Sequence, residues 1–276
     1  MPDINIVIVN WKMKEDILRC LASLFADIAD ENIKVIVQVV DNSGNADGIK
    51  EALENNYPQV VYINPGGNLG FGKALNLGFK RAAAKFYLPL NPDIEFLAGG
   101  RAIKKLLEFM ASHPAVGIAA PKLLNLDGTI QESCYRYPRF LDQFARRLGF
   151  EVKFKFFKNK VGRYLMRDFG HDRTVPVDWL MGSFMLVRKE LTDKIGFFDD
   201  RYFMYFEDCD WCRRAWRSGW QVYYIHNIVV KHKHRRESSE QSPILAILKS
   251  RVARVHLKSW FKYFLKWGIK NDKFGI

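Results

Sequence analysis

The sequence Ile4-Asn-Ile-Val-Ile-Val9 decides the fold, because this run of mostly β-branched residues is typical of a strand buried on both faces. A second run of the same kind, Val35-Ile-Val-Gln-Val-Val40, follows residues 13–30, whose apolar side chains recur at helical spacing. Two buried strands joined by a helix predict a parallel sheet with helices on both faces. The expected fold class is therefore α/β.

Similar patterns continue along the rest of the chain. Further strands are predicted at 60–63, 86–90, 116–120, 177–187, 221–225 and 228–230. Further helices are predicted at 46–56, from near Gly72, at 99–112, from Asp208, and at 243–267. Residues 136–173 are basic and aromatic, and their pattern does not indicate a particular element.

Polar residues follow three of the predicted strands at the point where each ends. Asn10 follows the first strand, Asp41-Asn42-Ser43 the second, and Asn91-Pro92-Asp93 the strand at 86–90. Ligands of open α/β sheets bind at the carboxyl ends of the strands, so these residues predict a binding site. They are also turn-forming residues, and a purely structural turn is the alternative in each case. Asp93 offers one carboxylate for a magnesium or manganese ion that substrate phosphates would complete.

Residues 64–78 form a glycine-rich stretch that leads into a predicted helix. Glycines allow close approach of a ligand to the backbone, and a helix N-terminus favours an anion. The spacing does not match the dinucleotide-binding fingerprint, and the Gly-Lys-Ser/Thr of a P-loop is absent. The stretch therefore predicts an anion site of another kind.

The segment from Gly196 to Trp220 combines many aromatic residues with the acids Asp199, Asp200, Glu207 and Asp208. An aromatic setting partly desolvates a carboxylate, as in many catalytic acids and bases. Glu207 and Asp208 stand where a helix begins, and the unpaired N–H groups there favour the ionised form. We predict that Asp208 is a general base; a helix cap beside a core-facing aromatic cluster is the alternative.

The charge of the chain is concentrated in two stretches. The 276 residues carry a net charge of +13; residues 231–276 hold 12 Lys and Arg against three acids, and residues 136–173 hold 11 against four. Such zones predict an interaction with nucleic acid, anionic lipid or a polyphosphate substrate. No nucleic-acid-binding motif is present, which disfavours the first partner.

Neither a secretion signal nor a membrane-spanning segment is expected. The chain runs directly into a strand pattern, and its apolar runs are far shorter than the ~20 residues that span a bilayer. The four cysteines form neither a disulfide framework nor a complete zinc set. These observations indicate reduced thiols and a cytosolic compartment.

The predicted helix at 243–267 has a broad apolar face with basic residues among it. Trp260, Phe261, Phe264 and Trp267 lie close together on this face. A basic, aromatic and amphipathic helix is typical of one lying in a membrane interface. The alternatives are a helix that packs on the body of the protein or on a second subunit.

A series of motifs follows one another along the chain: Ile-Val-Ile-Val-Asn-Trp (6–11), Val-Asp-Asn-Ser (40–43), Asn-Leu-Gly-Phe-Gly (68–72) with Asn76, Asn-Pro-Asp (91–93), Asp-Trp-Leu-Met-Gly-Ser (178–183), Phe-Phe-Asp-Asp (197–200), Glu-Asp-Cys-Asp (207–210) and His232. In this order, they closely resemble family 2 glycosyltransferases with the GT-A fold, in particular the bacterial rhamnosyltransferase-like branch. The resemblance implies a GT-A domain over 1–239, with a nucleotide-sugar half at 1–120 and an acceptor and catalytic half at 121–239. The basic helical tail at 240–276 lies outside it.

The resemblance also implies roles for individual residues in an inverting sugar transfer from a nucleoside diphosphate to a hydroxyl. Asp208 matches the catalytic base and Glu207 its neighbour, while Trp179 and Gly182 are placed on the acceptor side. The implied nucleotide-sugar residues are Asn10, Asp41, Asn42, Ser43, Asn68, Gly70, Phe71, Asn76, Asn91 and Asp93.

The implied metal site contains Asp93 and His232, with Mg²⁺ or Mn²⁺ as the ion. In this family an Asp-any-Asp motif holds the metal, and Asn91 stands at its first position here. Asp93 is therefore the main carboxylate of the implied site.

The expected function is assembly of a surface polysaccharide on a glycan or polyprenyl-linked acceptor. The family suggests rhamnose from dTDP-rhamnose, followed by galactofuranose and N-acetylhexosamines. The basic tail adds the expectation of an enzyme peripheral on the inner face of the cell membrane. An inactive scaffold with the same fold and a nucleic-acid-binding protein are the alternatives, and self-association is left open.

Overall fold

A computed structural model describes residues 1–29, 31–140, 155–233 and 250–269. The strands are β1 (Ile4–Asn10), β2 (Val35–Asp41), β3 (Val61–Ile63), β4 (Phe86–Leu90), β5 (Ile94–Phe96), β6 (Val116–Leu124), β7 (Cys134–Tyr135), β8 (Val175–Pro176), β9 (Trp179–Leu180), β10 (Leu186–Arg188) and β11 (Gln221–His232). The helices are α1 (Lys14–Ile28), α2 (Ile49–Asn56), α3 (Phe71–Arg81), α4 (Ala102–Ser112), α5 (Lys155–Tyr164), α6 (Lys189–Ile195), α7 (Glu207–Arg217) and α8 (Arg251–Trp267).

Nine strands of the described chain form one sheet in the order β3-β2-β1-β4-β10-β6-β11-β5, with β8 paired to β11. The strands β3, β2, β1 and β4 are parallel neighbours. In the other half, β10 runs antiparallel between β4 and β6, and β11 is parallel to β6. The predicted α/β fold, with a mostly parallel sheet flanked by helices, is confirmed.

The first strand is buried on both faces, as its unbroken apolar run predicts. Ile4, Ile6 and Ile8 pack in a core with α1, α2 and α4. Val7 and Val9 point to the opposite face and pack with α3, α6 and α7. Helices therefore cover both faces, and the carboxyl ends of the strands are left to form a site.

Two buried polar residues in the apolar strands fix the position of α3. Gln38 Nε2 on β2 donates to Asn5 Oδ1 on β1 (2.7 Å) and to the carbonyl oxygen of Gly78 on α3 (2.8 Å). A Cβ atom at Gly78 would lie 2.6 Å from Val7 Cγ1, so only glycine lets α3 approach β1 this closely. The glycine-rich stretch that opens α3 is thereby held at the sheet edge.

The predicted strand at 177–187 is wrong in its middle, where the structure has two short strands, β9 and β10, with a turn between them. The backbone N–H of Gly182 donates to the side chain of Asp208, and the carbonyl oxygen of Ser183 accepts from the N–H of Asn91. The Ser183 contact belongs to an isolated antiparallel bridge between Phe184 and Leu90, whereas the Gly182 N–H leaves the sheet and binds Asp208.

Other differences from the predicted elements are small. The two predicted strands at 221–225 and 228–230 form the single strand β11, with a register irregularity between Ile225 and Val229. The short elements β5, β7, β8 and α6 were not predicted, because two to seven residues give little periodicity.

The helix α8 lies within the predicted helical range; residues 243–249 of that range lie outside the described residues. Trp260, Tyr263 and Phe264 are buried in a cluster with Tyr202 and Phe206. A membrane-facing role is therefore wrong for Trp260 and Phe264, because the body of the protein already removes their apolar surface from water.

Part of α8 remains accessible to solvent. Phe261 and Leu265 are 49% and 84% exposed, and they lie one helical turn apart. Trp267 is only half-buried, so the apolar surface of α8 is divided between the protein and solvent. Across the described ranges, no helix is both long enough and apolar enough to cross a bilayer.

Candidate active site

Asp208 lies in the first turn of α7 and is held by two backbone groups. The N–H of Gly182 donates to Asp208 Oδ2 (2.9 Å), and the N–H of Cys209 donates to Asp208 Oδ1 (2.8 Å). Burial raises the pKa of Asp208 to about 6, although these two hydrogen bonds act in the opposite direction. The residue as a whole is half-buried. At neutral pH the carboxylate is therefore mostly charged, fixed in orientation and still able to accept a proton.

The neighbouring Glu207 is in a different electrostatic state. Burial, and then the charge of Asp208, raise the pKa of Glu207 well above its ordinary value. Its Oε2 atom is buried without a hydrogen-bond partner in the described part of the chain. The expectation that the helix N-terminus keeps both carboxylates ionised is thus wrong for Glu207, because burial outweighs the helix dipole. Burial therefore favours the neutral form of Glu207.

The turn that leads into α7 is strained. Tyr205 and Phe206 have φ angles of 72° and 69°, in the left-handed region that bulky residues rarely adopt. The Phe206 ring packs 5.3 Å from the Tyr263 ring, and the Tyr205 ring 4.9 Å from His256, both centroid to centroid. Packing against α8 therefore supports the backbone conformation that places Glu207 and Asp208 in the first turn of α7.

The glycine-rich stretch is tied both to β2 and to the segment before α7. Asn42 Nδ2 donates to the carbonyl oxygen of Gly70 (2.9 Å), and Asn42 Oδ1 accepts from the N–H of Leu69 (3.2 Å). The N–H of Phe71 donates to the carbonyl oxygen of Phe203 (2.8 Å). Gly70 has a φ of 81°, and a Cβ atom there would lie 2.2 Å from that same oxygen of Phe203. Only glycine permits this approach.

Two further asparagines of the predicted donor set are engaged within the protein. Asn68 Oδ1 accepts from the N–H of Gly70 (2.8 Å). Asn76 Nδ2 donates to the carbonyl oxygen of Phe198 (2.8 Å) and to Asp200 Oδ1 (3.0 Å), while Asn76 Oδ1 accepts from the N–H of Phe198 (3.0 Å). These contacts shape the loops around the site, and direct contact with a donor stays a prediction for both.

A polar cluster closes the ends of β1 and β2. Asn10 Nδ2 donates to Asp41 Oδ1 (3.0 Å) and Asp47 Oδ1 (3.1 Å), and Ser43 Oγ donates to Asp41 Oδ1 (2.7 Å). Burial opposes the charge of Asp41, yet hydrogen bonds from Ser43, from the backbone and from Tyr62 lower its pKa. Asp47 was not predicted; its only sequence signal is an acid a few residues after the strand.

The predicted metal residues come together at the ends of β4 and β11. His232 Nε2 lies 3.2 Å from Asp93 Oδ1 and 3.4 Å from Asn91 Nδ2. His232 Nδ1 is 2.6 Å from Oε1 of Gln131, an acceptor, so Nδ1 carries a proton and Nε2 is the nitrogen that faces Asp93. Gln131 is held in turn by a hydrogen bond to Asn125 Oδ1 (3.0 Å). Neither Gln131 nor Asn125 was predicted.

This donor set fits a divalent ion that substrate oxygens help to hold. A carboxylate oxygen and an imidazole nitrogen lie side by side at a spacing compatible with one ion, and the imidazole is oriented by a buried acceptor. Within the described ranges, no group of three or more His, Cys, Asp or Glu residues could hold a metal. A bound ion would therefore need ligands from the substrate.

On the acceptor side, Trp179 and Gly182 have different environments. The Trp179 ring stacks on Tyr135 with centroids 4.3 Å apart, and its Nε1 donates to the carbonyl oxygen of Arg136 (3.1 Å). Trp179 is half-buried and leaves part of its surface to solvent. A Cβ atom at Gly182 would lie 3.2 Å from Asp208 Cβ, so this glycine adjoins the predicted base directly.

The predicted residues form one connected region of the protein. The consecutive residues Gly182 and Ser183 link Asp208 to Asn91, and Asn91 lies beside His232. A Cβ atom at Gly72 would lie 3.7 Å from Glu207 Cβ, which joins the glycine-rich stretch to α7. The arrangement combines an oriented base with a polar, potentially metal-binding sheet edge. It can therefore accept a proton at one end and hold a phosphate-bearing ligand at the other.

Comparison with known proteins gives consistent results. Residues 2–254 match the family model described as Glycosyltransferase like family 2. The chain is 30% identical over 290 residues to the N-acetylglucosaminyl-diphospho-decaprenol L-rhamnosyltransferase of Mycobacterium tuberculosis, covering 97% of this chain and 89% of that protein. It is 29% identical over 280 residues to rhamnosyltransferase WbbL of Escherichia coli K12, covering 98% and 96%.

Among solved structures, the fold is similar to the mannosyltransferase PcManGT from Pyrobaculum calidifontis, determined in complex with GDP-Man and Mn²⁺. The TM-score is 0.61 at 14% identity, and the match covers 99% of this chain and 68% of that one. At this identity the likeness concerns the fold alone.

Proposed function

The chain belongs to glycosyltransferase family 2, and from that premise we propose that it is an inverting transferase that moves a sugar from a nucleoside diphosphate to an acceptor hydroxyl, with Asp208 as the general base. The observation that carries the proposal is the geometry of Asp208. Its carboxylate is fixed by the N–H groups of Gly182 and Cys209 and has a pKa of about 6, and the residue as a whole is half-buried. Such a group is ionised at pH 7 and ready to accept a proton.

The proposed reaction is a single displacement. Asp208 removes the proton of the acceptor hydroxyl while its oxygen forms a bond to the anomeric carbon. The bond from that carbon to the nucleoside diphosphate breaks on the opposite face, and the leaving group carries away the electron pair. Burial and the charge of Asp208 raise the pKa of Glu207 well above its ordinary value, which disfavours Glu207 as the ionised nucleophile that a double displacement needs.

The proposed donor end consists of the residues at the ends of β1, β2 and β4 and in the glycine-rich stretch. Asn10, Asp41, Asn42 and Ser43 would hold the nucleoside, and Asn68, Gly70, Phe71, Asn76, Asn91 and Asp93 would line the nucleotide-sugar. The ionised Asp41 suits N–H and O–H donors of a base or ribose.

The proposed sugar is rhamnose from dTDP-rhamnose. Two similar proteins are named rhamnosyltransferases, and each match spans nearly the whole of this chain. Galactofuranose and N-acetylhexosamine remain the alternative sugars. An inactive scaffold is the alternative function, and the intact Asp208, Glu207 and Asp93 argue against it.

We propose that Asp93 and His232 hold Mg²⁺ or Mn²⁺ together with donor phosphates. When bound, the ion would neutralise charge on the leaving diphosphate. The protein orients the histidine ligand: Gln131 accepts a hydrogen bond from His232 Nδ1, and Nε2 therefore points toward Asp93, where it would bind the ion. The Mn²⁺ in the mannosyltransferase structure is consistent with such an ion in this fold.

The proposed acceptor is a glycan or a polyprenyl-linked sugar in polysaccharide biosynthesis, bound beside Trp179 and Gly182. Support comes from the name of the mycobacterial relative, which specifies an N-acetylglucosaminyl-diphospho-decaprenol acceptor. A lipid-linked acceptor requires access to a membrane surface. We place the protein on the cytoplasmic face, attached reversibly through exposed Phe261 and Leu265 and the cations around them.

The division into halves at 1–120 and 121–239 stays a prediction, as does self-association.

The direct test offers the purified chain a panel of nucleotide sugars with an N-acetylglucosaminyl-diphospho-lipid acceptor, and detects the product by mass spectrometry. We expect transfer from dTDP-rhamnose, loss of transfer with EDTA, and restoration by Mg²⁺ or Mn²⁺. Transfer from a different donor would show that rhamnose is not the sugar, and the proposed mechanism would be unaffected. Absence of transfer from every donor, together with retained nucleotide binding, would favour the inactive scaffold.

A further inference from the structure

The helix α8 contacts the loop that leads into the predicted base. We name residues 199–206 the base loop. Ser259 Oγ donates to the carbonyl oxygen of Met204 (2.8 Å), and Lys262 Nζ donates to that of Arg201 (2.6 Å). A helix that the sequence suggested to be an appended tail therefore binds the backbone of the active-site loop.

A single lysine on α8 joins both sides of the base loop. Lys266 Nζ lies 2.8 Å from Asp199 Oδ2, at the start of the loop. The same ammonium lies 2.6 Å from Asp210 Oδ1, two residues after Asp208 on α7. The two ends of the segment that carries the base are thus tied to one point on α8.

Burial makes this ion cluster sensitive to loss of a partner. The side chains of Lys266 and Asp199 are each 19% exposed, and that of Asp210 is 0% exposed. Asp210 also accepts from Arg214 Nε (2.8 Å) and Trp267 Nε1 (2.8 Å). Without the ammonium of Lys266, two nearby carboxylates would lose their shared counter-charge in a setting where water replaces it poorly.

The backbone between Asp199 and Asp210 is strained and requires stabilising contacts. Tyr205 and Phe206 adopt left-handed backbone conformations, which persist only where surrounding contacts over-determine them. The glycine-rich stretch supplies contacts on one side, through the hydrogen bond from the N–H of Phe71 to Phe203. The helix α8 supplies those on the other, through the rings of His256 and Tyr263.

We propose that α8 is a positioning element of the active site, in which Lys266 clamps the base loop so that Asp208 is presented to the acceptor in its reactive orientation. Lys266 does not touch the reacting atoms; it acts through Asp199 and Asp210. The proposal rests on the proposed function, since it concerns the placement of the catalytic base. It assigns to residues beyond 250 a role in the chemistry, in addition to any contact with a membrane.

The test compares Lys266→Met with Lys258→Met in the full chain, with a short water-soluble acceptor so that membrane attachment does not affect the rate. Lys258 is exposed on the same helix and serves as the matched control for loss of a cation. A misplaced reactive group typically lowers the rate by up to ~10²-fold, so we expect Lys266→Met to lower kcat by about 10- to 100-fold. The dissociation constant of the nucleoside diphosphate should change by less than about threefold, because α8 holds the base end of the site. Lys266→Arg keeps the charge and should recover most of kcat.

A double-mutant cycle separates the clamp from a general loss of packing. If Lys266 acts through Asp199, then Asp199→Asn combined with Lys266→Met should reduce kcat by much less than the product of the two single effects. If Lys266→Met does not fold, Trp267→Phe removes one hydrogen bond to Asp210 and should give a smaller loss of kcat with unchanged nucleotide binding.

Hydrogen exchange provides a readout that does not depend on activity. The backbone amides of the base loop and the first turn of α7 should exchange faster in Lys266→Met than in Lys258→Met. A folded Lys266→Met protein with wild-type kcat and wild-type exchange in this segment would overturn the clamp. If the wild-type chain transfers no sugar, the proposed function fails, and the exchange comparison still decides the clamp.

Discussion

The proposed donor end and the proposed base end of the site are held in place by different means. At the donor end, Asn10, Asp41 and Ser43 bind one another directly where neighbouring strands finish. At the proposed base end, Asp208 follows a strained turn that packs against α8, which begins at Arg251. The proposed donor end is thus held by polar contacts among its own side chains, whereas the proposed base end also relies on packing between α8 and the turn before α7. The two ends should therefore respond differently to substitution.

The largest effect is expected for Asp208→Asn. Asparagine keeps the size of the side chain but cannot accept the proton, so kcat should fall by ~10²- to 10⁴-fold. Binding of the nucleoside diphosphate, measured by calorimetry, should change little because the donor end is intact. Glu15→Gln is the control, since that carboxylate is 70% exposed. A variant that keeps most of its turnover would show that another group is the base.

The next effect concerns the connection between the two ends. In Gly70→Ala the new Cβ would meet the carbonyl oxygen of Phe203 at 2.2 Å, in addition to the left-handed backbone. We expect a loss of about 2–4 kcal/mol in the free energy of unfolding, with weaker donor binding and lower kcat together. Gly66→Ala is the matched control: its φ is 79°, but nothing lies within 4 Å of the added atom. Urea denaturation of both variants measures the difference, and equal losses would mean that the approach to Phe203 relaxes freely.

A substitution at the proposed donor end should weaken ligand binding and leave kcat unchanged, whereas Lys266→Met should lower kcat and leave nucleotide binding unchanged. Gln131→Ala removes the acceptor that orients His232, and loss of such a partner typically weakens metal binding by about 10- to 100-fold. We expect a higher Mn²⁺ concentration for half-maximal activity, with kcat recovered at saturating Mn²⁺. The exposed Gln59→Ala serves as the control. Loss of kcat that saturating metal does not restore would place Gln131 at the base end instead.

The smallest effect is the response to pH. The base must be ionised, and the pKa of Asp208 is about 6, so log(kcat/KM) should fall by one unit per pH unit below pH 6 and level off above it. The dissociation constant of the nucleotide should not change in this way below pH 6, because the pKa of Asp41 is lowered and its carboxylate stays charged over this range. Profiles of both quantities between pH 4.5 and 8 compare the two ends in one experiment. If kcat/KM and nucleotide binding fell in parallel below pH 6, one titrating group would control both ends of the site.

The sequence predicted the sheet, the first four helices and the side chains at the strand ends. These succeeded because buried parallel strands are apolar throughout, and because polar residues at their ends are brought to one edge by the topology. It did not predict that Gln131 orients His232, since a single glutamine after β6 carries no pattern. It assigned Asn42 and Asn76 to the nucleotide-sugar site but did not predict that both hold loops, because an asparagine that holds a loop and one that binds a ligand look alike in sequence.

The sequence by itself determined the fold class, the family resemblance and the positions of Asp93, Glu207, Asp208 and His232. Only the tertiary structure decided that burial raises the pKa of both carboxyl groups, to about 6 for Asp208 and well above the ordinary value for Glu207, because a pKa depends on burial and on neighbouring dipoles. It also decided that Trp260 and Phe264 of α8 face the protein, although their amphipathic pattern suits a membrane equally well. Periodicity shows that a helix has an apolar face, and the partner of that face is set by contacts between residues far apart in the chain.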